Sequence, residues 1–234
     1  MSRSISTFDR GVRISDRAIS RPRIPESAIH HWPLTEGSGS TATDVIGGEH
    51  GDIVGATWNE NYEFFDGAAL EFDGTDDHVM TSLSCLDLSS QTTFAVTAIP
   101  FETSEGGLLH ACESNVDTRW TLSYDRDGNQ AFGWVGHESD DNIVTTNPVD
   151  PHTRVRVAVT HDLDSSTVQI YENGTLVDSS SDLDMDVTID ELLYINSNPS
   201  RHDTPFGGFI RDPIIYGGVL SNSKAESDFS YFLS

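Results

Sequence analysis

Downstream of residue 26, apolar and polar residues alternate in short runs that are separated by turn residues. The clearest runs are TFAVTAIPF at 93–101, TRVRVAVTH at 153–161 and STVQIYENG at 166–174. They are rich in β-branched and aromatic residues, as strands are. Many short strands with almost no helical periodicity predict an all-β sandwich. One helix is expected in SNSKAESDF at 221–229, where a serine and a glutamate have capping-box spacing.

Glycine-containing turns lie between the predicted strands. Asp127-Gly128 and Asn173-Gly174 accept positive φ at both turn positions, so each predicts a tight two-residue hairpin. ALEFDGTDDHVM at 69–80 predicts a third, looser hairpin that bends at Gly74. Alternation with period two places four residues of WPL and ALEF in the core, namely Trp32, Leu34, Leu70 and Phe72.

The first 26 residues differ from the rest in pattern and in charge. Six of the twelve arginines lie there among isolated apolar residues, while Gly11, Pro22 and Pro25 oppose a long helix. We predict an extended docking arm over 1–26 and one sandwich domain over 27–234. The arm residues expected to contact a partner through ion pairs and apolar burial are Arg3, Arg10, Arg13, Arg17, Arg21, Arg23, Phe8 and Ile14. A frayed terminus is the alternative.

The chain is strongly acidic, with 38 acidic residues, 13 basic residues and a formal net charge of −25. Lys224 is its only lysine. Such a surface repels itself at low salt, and molar salt removes that penalty by shortening the Debye length to about 3 Å. The composition resembles that of proteins from extreme halophiles, and an acidic protein from an ordinary cell is the alternative. The charge disfavours nucleic acid and anionic membranes as partners.

Nothing in the sequence predicts membrane insertion or export by a signal peptide. No apolar run approaches the roughly 18 residues of a membrane span. The basic start is not followed by the apolar stretch of about 7–15 residues that a secretory signal requires. Cys85 and Cys112 are the only cysteines, and they fit either two buried small apolar residues or one disulfide.

Five stretches resemble, in order, the laminin-G-like domains of the concanavalin A-like lectin/glucanase superfamily. HHWPLTEGSGSTATDVIGGEHGDIVGATW and GAALEFDGTDDHVMT are similar to the opening of those domains. RVAVTHD with STVQIYENGTLV, LLYINSNP and GFIRDPIIYGGVLS are similar to the central hairpin, the next strand and the closing turn. The resemblance covers about residues 30–229 and implies a jelly-roll sandwich of two antiparallel sheets. Members of the superfamily include binding modules and glycan hydrolases.

The residues do not support catalysis. The glucanases of the superfamily carry Glu-x-Asp-x-x-Glu along one strand, and the nearest set here is Glu71, Asp73 and Asp76. Gly74 interrupts that strand and the third acid is short, while a retaining glycosidase needs two carboxyls about 5–5.5 Å apart. The chain also lacks a G-x-S-x-G elbow and an H-E-x-x-H motif. We therefore predict no catalytic residues and no enzymatic activity.

Asp76 and Asp77 are the candidate metal ligands, because adjacent loop carboxylates suit calcium. The resemblance implies calcium near such loops. Arg211 stands where the family usually has an acid, which opposes a cation, and a solvated acidic pair is the alternative. No other cofactor is expected.

Candidate glycan-binding residues are the polar side chains of a late loop together with one tryptophan, that is Asn196, Asn198, Arg201, Asp203 and Trp134. Core packing is the favoured alternative for Trp134. Asn173-Gly174-Thr175 matches an N-glycosylation sequon, although a hairpin turn alone explains these residues.

Three functions remain open. The first is a structural or adhesion module of a larger halophilic assembly, with a lectin-like domain that binds host-surface glycan. A virion surface protein of the head, tail or fibre fits this reading, because virions assemble inside the cell and need no export signal. The second is a cell-surface or secreted carbohydrate-binding protein, and the third, disfavoured, is a glycan hydrolase. We expect a homo-oligomer that contacts other subunits through the arm, at a virion or extracellular surface in high salt.

Overall fold

The computed structural model of the chain describes residues 27–60, 65, 67–85, 88, 90–102, 104–112, 119–125, 128–136, 144–181, 192–196 and 205–233. At nine of these positions it describes the backbone alone, namely Ala111, Cys112, Arg119, Trp120, Val135, Gly136, Asp228, Tyr231 and Leu233. The docking arm over 1–26 and the late-loop residues Asn198, Arg201 and Asp203 lie outside the described residues.

Sixteen strands and one helix make up the described part of the chain. They are β1 (Ala28–His31), β2 (Thr41–Ala42), β3 (Gly51–Val54), β4 (Thr57–Asn59), β5 (Ala69–Asp73), β6 (His78–Ser84), β7 (Gln91–Pro100), β8 (Gly106–Cys112), β9 (Arg119–Tyr124), β10 (Phe132–Gly136), β11 (Val144–Thr145), β12 (Val155–Asp162), β13 (Thr167–Glu172), β14 (Thr175–Ser180), β15 (Leu192–Ile195), β16 (Gly207–Gly217) and α1 (Asn222–Leu233).

The strands form two sheets that pack face to face. The first sheet has the order β14-β13-β12-β7-β16-β5-β4, with β1 also paired to β16. The second has the order β11-β10-β9-β8-β15-β6-β3-β2. All of these strand pairs are antiparallel. This arrangement confirms the predicted jelly-roll sandwich.

The core between the sheets follows the period-two pattern of the sequence. The four predicted core residues are fully buried there, namely Trp32, Leu34, Leu70 and Phe72. β7 is buried on both faces because α1 covers the outer face of the first sheet, where Ala225 and Phe229 pack against Ala95 and Ala158. Burying one such aromatic side chain contributes about 1.5–3 kcal/mol.

Of the two tight hairpins predicted at glycine-containing turns, one is confirmed and the other is wrong. Asn173 and Gly174 have φ of 50° and 83° and join β13 to β14 directly, which confirms the tight hairpin. Asp127 lies outside the described residues, but the two-residue hairpin predicted at Asp127-Gly128 is wrong, because β9 ends at Tyr124 and β10 begins at Phe132. The amide of Asp125 donates to the carbonyl of Ala131 at 2.9 Å, so the loop closes three residues beyond Gly128.

The third predicted hairpin, at ALEFDGTDDHVM, is also wrong. β5 belongs to the first sheet and β6 to the second, so the two strands do not pair. Gly74, with φ of 79°, bends the chain from one sheet to the other instead. The acidic residues of this segment therefore lie in a crossing turn at one end of the sandwich.

The predicted C-terminal helix is confirmed, with an earlier start. The carbonyl of Ser221 accepts from the amides of Lys224 and Ala225, which makes Ser221 the N-cap and places Ser223 inside the helix. Among the described residues, no helix combines the length and hydrophobicity needed to cross a bilayer.

One buried carboxylate organises the loop between β2 and β3. Asp44 accepts from His30 Nδ1 at 2.8 Å. It also accepts from four backbone amides, those of His31, Ile46, Gly47 and Glu49. Burial raises the pKa of Asp44, but these hydrogen bonds outweigh it and hold the pKa well below the usual range. Stability from this group is thus present above about pH 4 and is lost as the pH falls further.

Gly47 provides the most direct test of this loop. A Cβ at Gly47 would overlap the His30 ring and lie 2.8 Å from Asp44 Oδ2. We expect Gly47→Ala to lower the free energy of unfolding by about 1–3 kcal/mol, as overpacking does. Chemical denaturation in molar salt measures the change. In a His30→Ala background the same substitution should cost less, and an equal cost in both backgrounds would contradict the assigned contact.

Candidate functional site

Three carboxylates converge at the turn that crosses between the sheets. Single carboxylate oxygens of Asp73, Asp76 and Asp77 lie within 4.8 Å of one another. Asp73 and Asp76 are exposed, whereas Asp77 is buried. Glu71, which the sequence groups with Asp73 and Asp76, instead accepts a hydrogen bond from Asn59 Nδ2 at 3.0 Å.

The turn is closed by its own carboxylates. Asp77 Oδ2 accepts from the amide of Asp73 at 2.8 Å, and Asp73 Oδ1 accepts from the amide of Thr75 at 2.7 Å. Asp77 Oδ1 lies against Gly55, where any Cβ would overlap it. The buried carboxylate is therefore held in place by the chain on both sides.

The carboxylates of this turn repel one another when no cation is bound. Burial raises the pKa of Asp77, and the charges of Asp73 and Asp76 raise it further, against the lowering effect of the Asp73 amide and His78. A divalent cation would relieve both the repulsion and the desolvation. Carboxylate oxygens in such a cluster are the ligands that calcium takes, so these residues fit the ion.

Arg211 does not oppose a cation at this turn. Gly207 pairs with Asp73, and Arg211 lies four residues further along β16, which is about 13 Å at 3.3 Å per residue. The Arg211 guanidinium lies 5.3 Å from the centre of the Phe65 ring, and its Nε lies 3.5 Å from Asp212 Oδ2. Arg211 therefore lies away from the acidic turn, while it still stands in place of the acid that the family usually has in this strand.

Asn196, the first residue of the late loop, has a structural role. Asn196 has no exposed area. Its Nδ2 donates to the carbonyl of Phe206 at 3.0 Å, and its Oδ1 accepts from the Phe206 amide at 2.8 Å. This corrects the assignment of Asn196 as a sugar ligand, because both ends of its carboxamide are used inside the protein.

The acidic turn and the base of the late loop adjoin. A Cβ added to Gly74 would lie 3.3 Å from Gly207 Cα and 3.9 Å from the carbonyl oxygen of Pro205. Pro205 in turn bridges to Gly107 of the second sheet. The acidic turn therefore lies beside Pro205 and Gly207, which follow the late loop in sequence and are more than 100 residues from the turn.

Two rings that the sequence analysis did not select lie beside the acidic turn. His78 Nδ1 lies 2.9 Å from the Asp76 carbonyl oxygen, and the rings of His78 and Tyr194 are 5.9 Å apart. Both residues are half-buried. Their sequence signal is alternation, because Val79 and Ile195 face the core and so turn their neighbours outward. We call Asp73, Asp76, Asp77, His78 and Tyr194 the acidic rim.

Trp134 does not belong to any ligand surface. It has no exposed area, its ring stacks on Phe94 at 5.5 Å, and His161 lies 6.1 Å away. This corrects its assignment as a sugar platform, since neither face of the indole is open. Core packing, the favoured alternative, accounts for it.

Comparison with known proteins identifies relatives by family and by fold. A family model described as the concanavalin A-like lectin/glucanases superfamily matches residues 73–225. A comparison with curated proteins finds no match.

Several solved structures share the fold at low sequence identity. Domain 4 of AbnA, a GH43 extracellular arabinanase from Geobacillus stearothermophilus in complex with arabinotriose, has a TM-score of 0.65 and 17% identity, covering 86% of this chain and 98% of that chain. A mutant Trypanosoma rangeli sialidase that displays trans-sialidase activity has a TM-score of 0.66 and 16% identity, covering 88% and 33%. The binding domain of botulinum neurotoxin serotype D has a TM-score of 0.64 and 16% identity, covering 88% and 51%.

These relatives overturn the prediction that the chain is not an enzyme. The same fold is part of chains described as an arabinanase and a sialidase, so a sandwich of this kind does not exclude enzymatic activity. At 16–17% identity the likeness concerns the fold alone.

Asp77→Asn tests the electrostatics of the acidic turn. The folded-state pKa of Asp77 is raised, so its ionisation destabilises the folded chain as the pH rises through and above 3.8. We expect the variant to melt at a higher temperature than the parent at neutral pH in chelator, and to lose any stabilisation by added calcium. Thermal unfolding in molar salt measures both effects. A variant that melts lower in chelator would show that the ionised carboxylate stabilises the turn.

Proposed function

Since the chain belongs to the concanavalin A-like lectin/glucanase superfamily, we propose that it is a glycan-binding adhesion module whose ligand site is the acidic rim. The observation that supports this site is the meeting of the acidic turn with the base of the late loop. The candidate calcium ligands and the rings of His78 and Tyr194 thereby lie at the same end of the sandwich as Pro205 and Gly207.

The chemistry of the rim suits a neutral oligosaccharide. Calcium takes about 6–8 oxygen ligands, so three carboxylates leave positions for sugar hydroxyls. The half-buried Tyr194 ring gives the rim an aromatic surface that suits the C–H groups of a pyranose or furanose. The arabinotriose complex of the AbnA domain supports an oligosaccharide as the ligand class.

We also propose that the chain is a subunit of a larger assembly. The carbonyl of Ser27, the first described residue, accepts from the amide of Gly217 at 3.0 Å. Gly217 and Gly207 are opposite ends of β16, which has an irregularity between Arg211 and Ile214 and so spans at most about 33 Å. A docking arm over 1–26 would therefore leave the domain far from the acidic rim. This layout suits a subunit of a homo-oligomer that holds its assembly at one end and presents the rim at the other.

We further propose that this assembly lies at a virion or extracellular surface in high salt. The acidic composition supports the high-salt setting. In such a medium long-range attraction is screened, so the arm would act through short-range arginine–carboxylate pairs and apolar contacts.

A glycan array in molar salt tests the ligand site. We expect the parent protein to bind in calcium and to lose binding in EDTA. Asp76→Asn removes an exposed carboxylate of the turn and should weaken affinity about tenfold or more, which is about 1.4 kcal/mol. Titration calorimetry with the best array ligand measures the change.

Asp164→Asn is the matched control. It removes the same charge from an exposed turn between β12 and β13, at the other end of the first sheet, and should bind as the parent does. Absence of any glycan binding, or binding that is indifferent to both EDTA and Asp76→Asn, would contradict the proposed site.

Deleting residues 1–25 tests the docking arm. Every described strand of the sandwich lies downstream of the deletion, so we expect the truncated chain to keep the parent's thermal unfolding and glycan binding while losing its oligomeric state. Light scattering in molar salt measures the assembly. Unchanged assembly after the deletion would assign oligomer formation to the sandwich instead.

A further inference from the structure

The hairpin between β13 and β14 carries a modification motif as well as a turn. Asn173-Gly174-Thr175 is the one Asn-X-Ser/Thr triplet of the chain in which X is not proline, since Asn198 is followed by proline. Proline at X excludes a site from N-glycosylation. The motif is short enough to occur by chance, so the geometry at Asn173 decides its value.

The side chain of Asn173 is held in one orientation. Its amide N–H donates to the carbonyl of Arg156 at 2.8 Å, and its Oδ1 accepts from the Arg156 N–H at 2.9 Å. The carboxamide oxygen thus continues the β12–β13 ladder one step beyond the pair of Val157 with Glu172. With Oδ1 turned inward to Arg156, the Nδ2 amino group faces outward on an exposed residue.

The other two residues of the triplet are also fixed by the fold. A Cβ at Gly174 would lie 3.1 Å from Glu226 Cα and 3.4 Å from the Ala225 carbonyl oxygen, and its φ is 83°. Glycine is therefore required where the turn passes against α1. Thr175 lies on the far side of the turn and is exposed, so its hydroxyl is available beside Asn173.

We propose that Asn173 is an N-glycosylation acceptor. The donor class is an oligosaccharide joined to a lipid phosphate, with an oligosaccharyltransferase as catalyst. Nδ2 loses one proton and forms a bond to the anomeric carbon, while the bond from that carbon to the phosphate oxygen breaks. The lipid phosphate leaves with the bonding electrons and the proton passes to solvent, so no oxidant or reductant is required.

A glycan at this position would cover an edge of the sandwich. β14 is the last strand of the first sheet, and each of its six residues is exposed or half-buried. Edge strands of this kind can pair with other chains, and natural proteins shield them. The modification also requires entry into a compartment where oligosaccharyl transfer occurs. Of the two settings proposed above, it favours the extracellular surface.

Secretion of the full chain from a eukaryotic host that N-glycosylates its exports tests the proposal. We expect most secreted chains to carry added hexose-containing mass on the peptide that contains Asn173. Treatment with a peptide N-glycosidase should release that mass and convert Asn173 to aspartate. Thr175→Val should abolish the modification, whereas Thr175→Ser should retain it.

The Thr175 pair is the cleaner comparison, because Asn173→Gln also disturbs the hydrogen bonds to Arg156. Asn129→Gln, in the exposed turn between β9 and β10, is the matched control. This variant should still be glycosylated at Asn173. An unmodified parent, or a modified Thr175→Val chain, would overturn the proposal. Each of these outcomes leaves glycan binding at the acidic rim untouched.

Discussion

The reciprocal hydrogen bonds between the Asn196 carboxamide and the Phe206 backbone join the two sheets at the end where the candidate site lies. Asn196 follows β15 of the second sheet, and Phe206 precedes β16 of the first. Phe206 is buried in the core that the sheets share. Leaving either buried polar group unsatisfied would cost about 1–3 kcal/mol. These hydrogen bonds fix the start of β16, where Gly207 packs against Gly74 of the acidic turn.

β16 runs from one end of the sandwich to the other. At Gly207 it meets the acidic turn, and at Gly217 it meets the first described residue of the chain. The strand therefore separates the acidic rim, which we propose as the calcium and sugar site, from the place where the proposed docking arm would leave the domain. The same fold occurs in structures described as parts of an arabinanase and a sialidase, so the fold by itself does not exclude catalysis.

Alternation and turn chemistry predicted the parts of the fold that depend on local sequence. Trp32 and Phe72 are buried because period two places them inward, and Asn173-Gly174 forms its hairpin because both residues accept positive φ. The turn at Gly74 could not be assigned in this way, because the same glycine serves a hairpin and a crossing between sheets. Asn196 was misassigned because an amide in a polar loop suggests exposure. Its partner Phe206 lies just before β16 of the other sheet, and the sequence does not reveal that contact.

Chemical-shift mapping in molar salt, with calcium present and the best array glycan titrated in, tests most directly whether the acidic turn and the late loop form one site. The account predicts that shifted amides cluster at Asp73–His78 and at Tyr194–Gly207, and that chelation removes the shifts. Shifts that cluster around Gly217 or the β12–β13 turn, with the acidic rim unchanged, would contradict it.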